Sequence, residues 1–326
     1  MKKWLGFLTA VLLLIGVVGC SSSTGAEEGK PEKIVLDYAF YSPTSLVLKK
    51  FGWAEEAFEK EGIKVEFVLS QGSNKALEFL NSSSVDFGST AGAAALIAKS
   101  KGSPIESVYI FSKPEWTALV TNEDSSIQSV KDLKGKKVAA TIGTDPYIFL
   151  LRALDEAGLS AADVEVVNLQ HADGGSALTT GQVDAWAGLD PHMARLELEA
   201  DTKIFYRNPE FNTYGTLNVR TEFAKKYPDQ VKKVIEVYEK ARTWVLDNPE
   251  EAAKILAKEA QISLEVAKKE LERNDFSSPI PGDVQKQALN SAGSVLQKGD
   301  IIQNDVEVES LVNDLINPEF AKAVIK

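Results

Sequence analysis

Between residue 34 and about residue 219 the chain alternates short apolar runs with helical patterns, and the alternation starts afresh partway along. This alternation limits the fold more than any other feature. Parallel strands need a long crossover between them, and a helix is the usual solution. Residues 34–38 read as a strand, 45–61 as a helix closed by Gly62, 64–69 as a strand and 74–81 as a helix. Residues 85–88 form a short strand and 91–101 an alanine-rich helix. The pattern restarts with strands at 107–111 and 116–120, then a turn and strand over 129–139. A helix over 145–158 follows, with Pro146 in its first turn, where a missing N–H costs nothing. Segments 164–169, 176–180 and 183–187 continue the alternation.

From residue 221 the chain is almost all helical: 221–227, 229–247, 250–260, 263–273 and two further helices after Pro281. Asn248-Pro249 and residues 278–282 are breaks. Two βα blocks and a helical tail predict two α/β lobes. Residues 34–117 begin the first, 118–216 make the second, and 217–326 return to the first. A two-strand hinge of this kind places a ligand in the cleft between lobes.

The first 33 residues have another purpose. Lys2 and Lys3 precede an uncharged run over 4–18, and Gly19-Cys20 ends it. The run is too short to span a bilayer comfortably and fits a signal h-region. A small residue before Cys after an apolar core resembles the bacterial lipobox, which implies a signal peptide over 1–19 and a diacylglycerol on Cys20. Residues 20–33 then form a Ser/Gly/Glu-rich tether, and the working part sits on the outer face of the cell membrane. Cys20 is the only cysteine, so no internal disulfide is available. A net charge of −11 argues against nucleic acid and against adhesion to anionic lipid through basic residues.

Several phrases recur in a family order: 36–38 through Tyr41-Ser42-Pro43, then Ser70-Gln71-Gly72-Ser73-Asn74, Asp86-Phe87-Gly88-Ser89-Thr90-Ala91-Gly92 and Ser112-Lys113-Pro114-Glu115-Trp116. Gly143-Thr144-Asp145-Pro146-Tyr147, Ala185-Trp186-Ala187-Gly188-Leu189-Asp190-Pro191-His192 and Asn212-Thr213-Tyr214-Gly215 complete the set. In order and spacing they resemble the aliphatic sulfonate-binding branch of the nitrate/sulfonate/taurine solute-binding proteins of ABC transporters. The resemblance runs from Cys20 to at least Arg220. It implies an α/β two-lobed periplasmic-binding-protein fold of the second topological type, with two chain crossings at the hinge and a helical C-terminal tail. It also implies an ABC permease and its ATPase as partners, a small alkanesulfonate as solute, a monomer, no cofactor and a role in sulfur supply. The chain has no Walker A pattern of its own. Two departures lower the cationic character that the resemblance implies for the second lobe: Ile142 stands where a basic residue is expected, and Gly174-Gly175 stand near an expected Arg.

The residues support a cleft on their own terms. Ligands of parallel α/β sheets bind beyond the carboxyl ends of strands, where helix N-termini carry partial positive charge. Tyr41, Ser42, Gln71, Ser73, Ser89 and Thr90 follow first-lobe strands; Gly143, Thr144 and Asp190 follow second-lobe strands. Helix capping is the competing use of such hydroxyls and amides, for Asn74 and Asp145 above all. Trp116 and Trp186 are either core or an apolar wall for an alkyl chain, and Tyr214 at the hinge is similarly divided. Glu115, Asp145 and Asp190 are acids that could pair with Lys113, cap helices or receive an ammonium. Taurine, nitrate and a thiamine-precursor pyrimidine are alternative solutes. An exported hydrolase is the alternative of another class: residues 88–92 lie between strand and helix as a nucleophile elbow would, and His171 and His192 are the only histidines. The same two histidines with Asp190 lack the paired spacing of a metal site. The expectation is a binding protein without enzymatic activity and without a metal.

Overall fold

The computed structural model describes residues 29–325. The expected signal peptide, Cys20 and most of the tether lie outside the described residues. Four strands of one sheet come first: β1 (Lys33–Tyr38), β2 (Lys64–Leu69), β3 (Phe87–Ala91) and β4 (Ile105–Pro114). The chain then crosses and lays down β5 (Leu119–Asn122), β6 (Lys137–Ala140), β7 (Glu165–Asn168), β8 (Ala185–Ala187) and β9 (Thr202–Tyr206) as a second sheet. It crosses back for β10 (Gly215–Arg220) and β11 (Asn274–Asp275), which rejoin the first. The sheet orders are β11-β4-β10-β3-β1-β2 and β7-β6-β8-β5-β9. Pairings β1–β2, β1–β3, β6–β7 and β6–β8 are parallel, and those of β10 and β5 are antiparallel. This is the two-crossing α/β binding-protein architecture expected from the sequence.

Helices α1 (Pro43–Phe51), α2 (Trp53–Glu59), α3 (Ser73–Asn81) and α4 (Gly92–Ser100) accompany the first block. Helices α5 (Asp145–Glu156), α6 (His171–Thr179) and α7 (His192–Glu199) accompany the second. The tail carries α8 (Thr221–Lys226), α9 (Pro228–Asp247), α10 (Pro249–Ala260), α11 (Leu264–Glu272), α12 (Asp283–Lys298), α13 (Val308–Leu315) and α14 (Glu319–Val324).

Four details depart from the sequence reading. The helix expected over 45–61 is two, because Gly52 turns left-handed at φ 66° and ends α1. Trp116 and Thr117 are not ladder residues. The Trp116 indole N–H donates to Asp145 Oδ2 (2.9 Å) and the Thr117 amide to Asn212 Oδ1 (3.0 Å), so side chains at the crossing take the place of a strand partner. Strands β9 and β11 depart from the sequence reading: β9 (Thr202-Lys203-Ile204-Phe205-Tyr206) is a short apolar run between polar flanks, and a two-residue strand is too short for any periodicity. Three helices, not two, follow Pro281.

Two core features hold the frame. Trp186 packs with Ala118, Val120, Leu178 and Leu196 within the second block. At the return crossing, Gly215 lies so close to Phe111 that a Cβ would fall 2.2 Å from the ring, so only glycine lets β10 pair with β4 there.

Candidate functional site

A cavity of about 230 Å3 lies where the strand-end loops of the two sheets face each other. Phe40 and Tyr41 follow β1, and Ser70 and Gln71 follow β2. Gln170 to Asp173 follow β7 and open α6; Leu189 to His192 follow β8 and open α7. Carboxyl ends of parallel strands and helix N-termini therefore converge on one small space. No Lys or Arg is among its lining residues.

The floor on the first-sheet side is held by a buried carboxyl. Asp37 Oδ1 accepts from the Ser89 amide (2.8 Å) and the Ser89 hydroxyl (2.9 Å). Burial pushes the Asp37 carboxyl up to about 6, against those bonds. The Tyr41 hydroxyl donates to Ser89 O at 2.9 Å, and its ring meets Trp116 edge-on at 5.7 Å. Beside this floor Ser42 Oγ and Thr44 Oγ1, at the start of α1, are buried with no hydrogen-bond partner among the described residues.

The second-sheet side presents two imidazoles and two carboxyls. His171 is 2 % exposed. Its Nδ1 lies 3.2 Å from Thr141 Oγ1, which is itself 2.6 Å from Leu169 O. Only the threonine hydroxyl can donate to that carbonyl, so its single proton is committed and the His171 proton must sit on Nδ1. Burial, helped by His192, lowers the His171 pKa to about 3, and burial lowers His192 to about 4. Both rings are neutral in any physiological medium. His171 Nε2 and His192 Nδ1 have no hydrogen-bond partner among the described residues.

Asp190 is tied to the helical tail. Its Oδ1 accepts from the Ala194 amide at 2.8 Å in the first turn of α7, and Arg273 Nη1 reaches both carboxylate oxygens at 3.1 Å. Arg273 Nη2 also bonds Glu197, which Lys269 meets at 3.3 Å. Burial holds Asp190 at about 6 despite Arg273. The neighbouring Glu270 is buried with both carboxyl oxygens unpartnered among the described residues, and burial raises its pKa well above the usual carboxylate range. Sequence reasoning missed this group because Arg273 lies 83 positions from Asp190 in a stretch that read only as helix.

Of the residues singled out from the sequence, Tyr41, Gln71 and Asp190 line the cavity. Ser89 lies behind Tyr41, whose hydroxyl donates to its carbonyl, and Ser42 is buried beside Tyr41. The Ser73 hydroxyl accepts from the Ala91 amide at 2.9 Å. Thr90 is enclosed in a cluster with Thr216 and Asn218. The Thr144 hydroxyl donates to Thr141 O at 2.6 Å. Gly143, at φ 82°, sits across from the Cβ of Asn74, so a second-block loop touches a first-block one. Trp116 and Trp186 are both buried in packing. Tyr214 adopts φ 42° at the return crossing. Glu115 takes a bidentate pair from Arg207, and Lys113 meets Glu210 at 3.7 Å. Asp145 joins both crossings, receiving Trp116 Nε1, the Thr213 amide (2.9 Å) and the Thr213 hydroxyl (2.6 Å). Ile142 is half exposed. A Cβ at Gly174 would fall 2.7 Å from Trp186 Nε1, which leaves no room there for a side chain, and Gly175 packs near the end of Leu196. Gln170, His171, Asp173 and His192 line the cavity as well. Their signal in the sequence was their position after a strand and at a helix start, the same signal that singled out Asp190.

The NMT1/THI5 like family matches residues 52–252, more than half of the chain. A Bacillus subtilis (strain 168) protein named "Putative aliphatic sulfonates-binding protein" is 30% identical over 317 residues, 96% of this chain and 95% of its own length. The Escherichia coli (strain K12) protein of the same name is 29% identical over 76% of this chain and 77% of its own. Among solved structures, the alkanesulfonate-binding protein SsuA from Xanthomonas axonopodis pv. citri, bound to MOPS, superposes with a TM-score of 0.80. It covers 88% of this chain and 99% of its own at 23% identity, a likeness of fold. With a family match over most of its two βα blocks and a 30%-identical relative along nearly its whole length, this chain belongs to the NMT1/THI5-like family.

Proposed function

We propose that this protein is the extracytoplasmic solute receptor of an ABC importer, that it captures a small alkanesulfonate between its lobes, and that it hands it to a permease. The observation that carries the reading is the cavity between strand-end loops of both sheets, small enough for a solute of a few heavy atoms. The names of the relatives support the solute class. Residues 34–117 with 217–326 act as one lobe and 118–216 as the other, a division supported by the way the strands partition between two sheets. Tyr41 and Gln71 contact the solute from one side and the first turns of α6 and α7 from the other. Partial positive charge at the starts of α6 and α7 favours a sulfonate there without a cation. The chain does no chemistry on its solute. Titration with methanesulfonate, ethanesulfonate, taurine, nitrate, sulfate and a pyrimidine, followed by calorimetry, tests the assignment. Saturable binding of a simple alkanesulfonate is expected. A response to the pyrimidine alone would replace the solute.

Closure predicts a steric test. Gly72 has extended backbone (φ 166°), which any residue adopts, so alanine is tolerated by the loop itself. A Cβ there would sit 2.8 Å from His171 Nε2 on the opposite side. Asn74 Oδ1, equally close, ends a side chain that can swing away, whereas the His171 ring is held by Thr141. Gly72→Ala should cost solute binding about 1–3 kcal/mol, the usual range for overpacking, which is roughly 5–150-fold in Kd. The unfolding midpoint of the solute-free protein should stay unchanged. Wild-type affinity in this variant would refute closure at this point.

Cys20 carries the lipid in this reading, and two acyl chains give durable anchoring. In a Cys20→Ala variant the protein should leave the membrane fraction on detergent partitioning. Retention like the wild type would end the lipoprotein assignment.

A further inference from the structure

Phe51, Trp53 and Trp244 form an aromatic patch on the outside of the first block, and none of them lines the cavity. Two positions apart on one helix, Phe51 and Trp53 could not face each other. The left-handed turn at Gly52 separates α1 from α2 and lets the rings stack, 4.8 Å between centroids and 16° between planes. Trp244, near the end of α9, closes the group at 4.9 Å from Phe51 and 6.4 Å from Trp53. Both tryptophans pack against the core yet are only half-buried, and Phe51 is 43 % exposed. Lys240 Nζ lies 4.3 Å over the Trp53 ring. Single exposed apolar side chains are ordinary on a protein surface, whereas three aromatic rings in mutual contact make a patch that asks for a partner.

The patch lies close to where the chain enters the fold. The Lys64 amide donates to Glu32 O at 3.1 Å, so the start of β1 stands beside the turn that follows α2. From that turn back to Trp53 is the length of α2, seven residues or about 10 Å. Cys20 lies nine positions before Gly29, a stretch of chain that spans at most about 30 Å. An anchor at Cys20 therefore keeps this corner of the first block within reach of the bilayer. Tryptophan, with a flat apolar body and one polar N–H, settles at the headgroup level of a membrane. The tether supplies the local concentration that so small a patch needs. Charge is balanced there: Lys50 and Lys240 share the three helices with exposed Glu55, Glu56 and Asp247. We infer that Phe51, Trp53 and Trp244 dock on the lipid surface that carries the anchor and lay the first block against it. This rests on the lipid-anchor reading above and adds an orientation to it.

The test places the lipidated receptor in phosphatidylcholine vesicles, with and without bromine on the acyl chains near the headgroup, and reads tryptophan emission. Bromine quenches on contact. Four tryptophans follow Cys20, and Trp116 and Trp186 are buried, so quenching reports the other two, Trp53 and Trp244. The wild type should lose a substantial part of its emission in brominated vesicles, at most about half, since two of the four tryptophans are in the patch. The loss should persist at high salt, because no net charge drives the contact. Phe51→Glu puts a charge among the rings and leaves both reporters in place. It should remove most of the quenching while vesicle association and solute Kd stay unchanged, and Phe51→Leu should keep part of the quenching. Equal emission from anchored receptor in the two kinds of vesicle overturns the inference and leaves the lipid anchor standing. Receptor that does not stay with the vesicles overturns both. Quenching that survives unchanged in Phe51→Glu also overturns it. So does a blue shift that grows with protein concentration in the absence of vesicles, which would assign the patch to contact between copies.

Discussion

Replacing Arg273 by alanine should weaken solute binding more than a hundredfold. The guanidinium is almost wholly enclosed and is held by Asp190 at 3.1 Å through both oxygens and by Glu197. It lies just beyond α11 in the tail, whereas Asp190 and Glu197 belong to the segment between β8 and β9. Every bond it makes to them therefore crosses from one block to the other. Removing one partner of a buried ion pair costs about 3–5 kcal/mol, because the remaining charge is stranded. Here Asp190, Glu197 and the nearby buried Glu270 would be left together without their cation. Separation of the blocks returns those carboxylates to water, so the loss should fall on the solute-bound arrangement. A cost of about 3 kcal/mol is a little over a hundredfold in Kd. Calorimetry reads the affinity, and small-angle scattering with saturating solute reads whether the lobes stay apart. An unchanged Kd would show that the Arg273 network is incidental to capture.

Asp145→Ala should lower the stability of the whole protein by about 3 kcal/mol or more. This carboxyl is buried at the start of α5, where burial raises its pKa, and it satisfies three donors: Trp116 Nε1, the Thr213 amide and the Thr213 hydroxyl. Trp116 belongs to the outgoing crossing and Thr213 to the returning one. The Thr213 hydroxyl in turn accepts from the Ala93 amide at the start of α4 (3.0 Å), which carries the network into the first block. Each buried donor abandoned costs about 1–3 kcal/mol. Asp145→Asn keeps one acceptor but turns an NH2 group toward a donor, so an intermediate loss is expected. Urea unfolding followed by Trp fluorescence measures both variants. A loss below about 1 kcal/mol in the alanine variant would mean that the crossings are held by packing alone.

Much of the architecture could be read from local pattern. Strand periodicity, helix starts and breakers are short-range signals, and the restart after residue 105 implied two sheets. The positions of Tyr41, Gln71 and Asp190 beyond strand ends were equally local, and all three line the cavity. The resemblance carried by phrases such as 70–74 and 185–192 pointed to the family that the comparisons establish.

Where strands end and helices begin is set by neighbours within a few residues, so local pattern carries it. The use of each strand-end side chain is fixed only when distant segments pack against it. Ser73, Thr90 and Thr144 have the same chemistry as any solute-binding hydroxyl, yet their partners are the Ala91 amide, the Thr216–Asn218 cluster and Thr141 O. A hydroxyl takes whichever donor or acceptor the fold brings within about 3 Å, and a partner 126 residues away leaves no trace in local pattern. The same holds for charge. Asp190 read as a bare acid near a cleft until Arg273 arrived from the tail, and His171 as a spare base until Thr141 and Leu169 fixed its proton. Protonation state and pairing depend on burial and long-range approach, and these exist only once the two blocks and the tail have packed together.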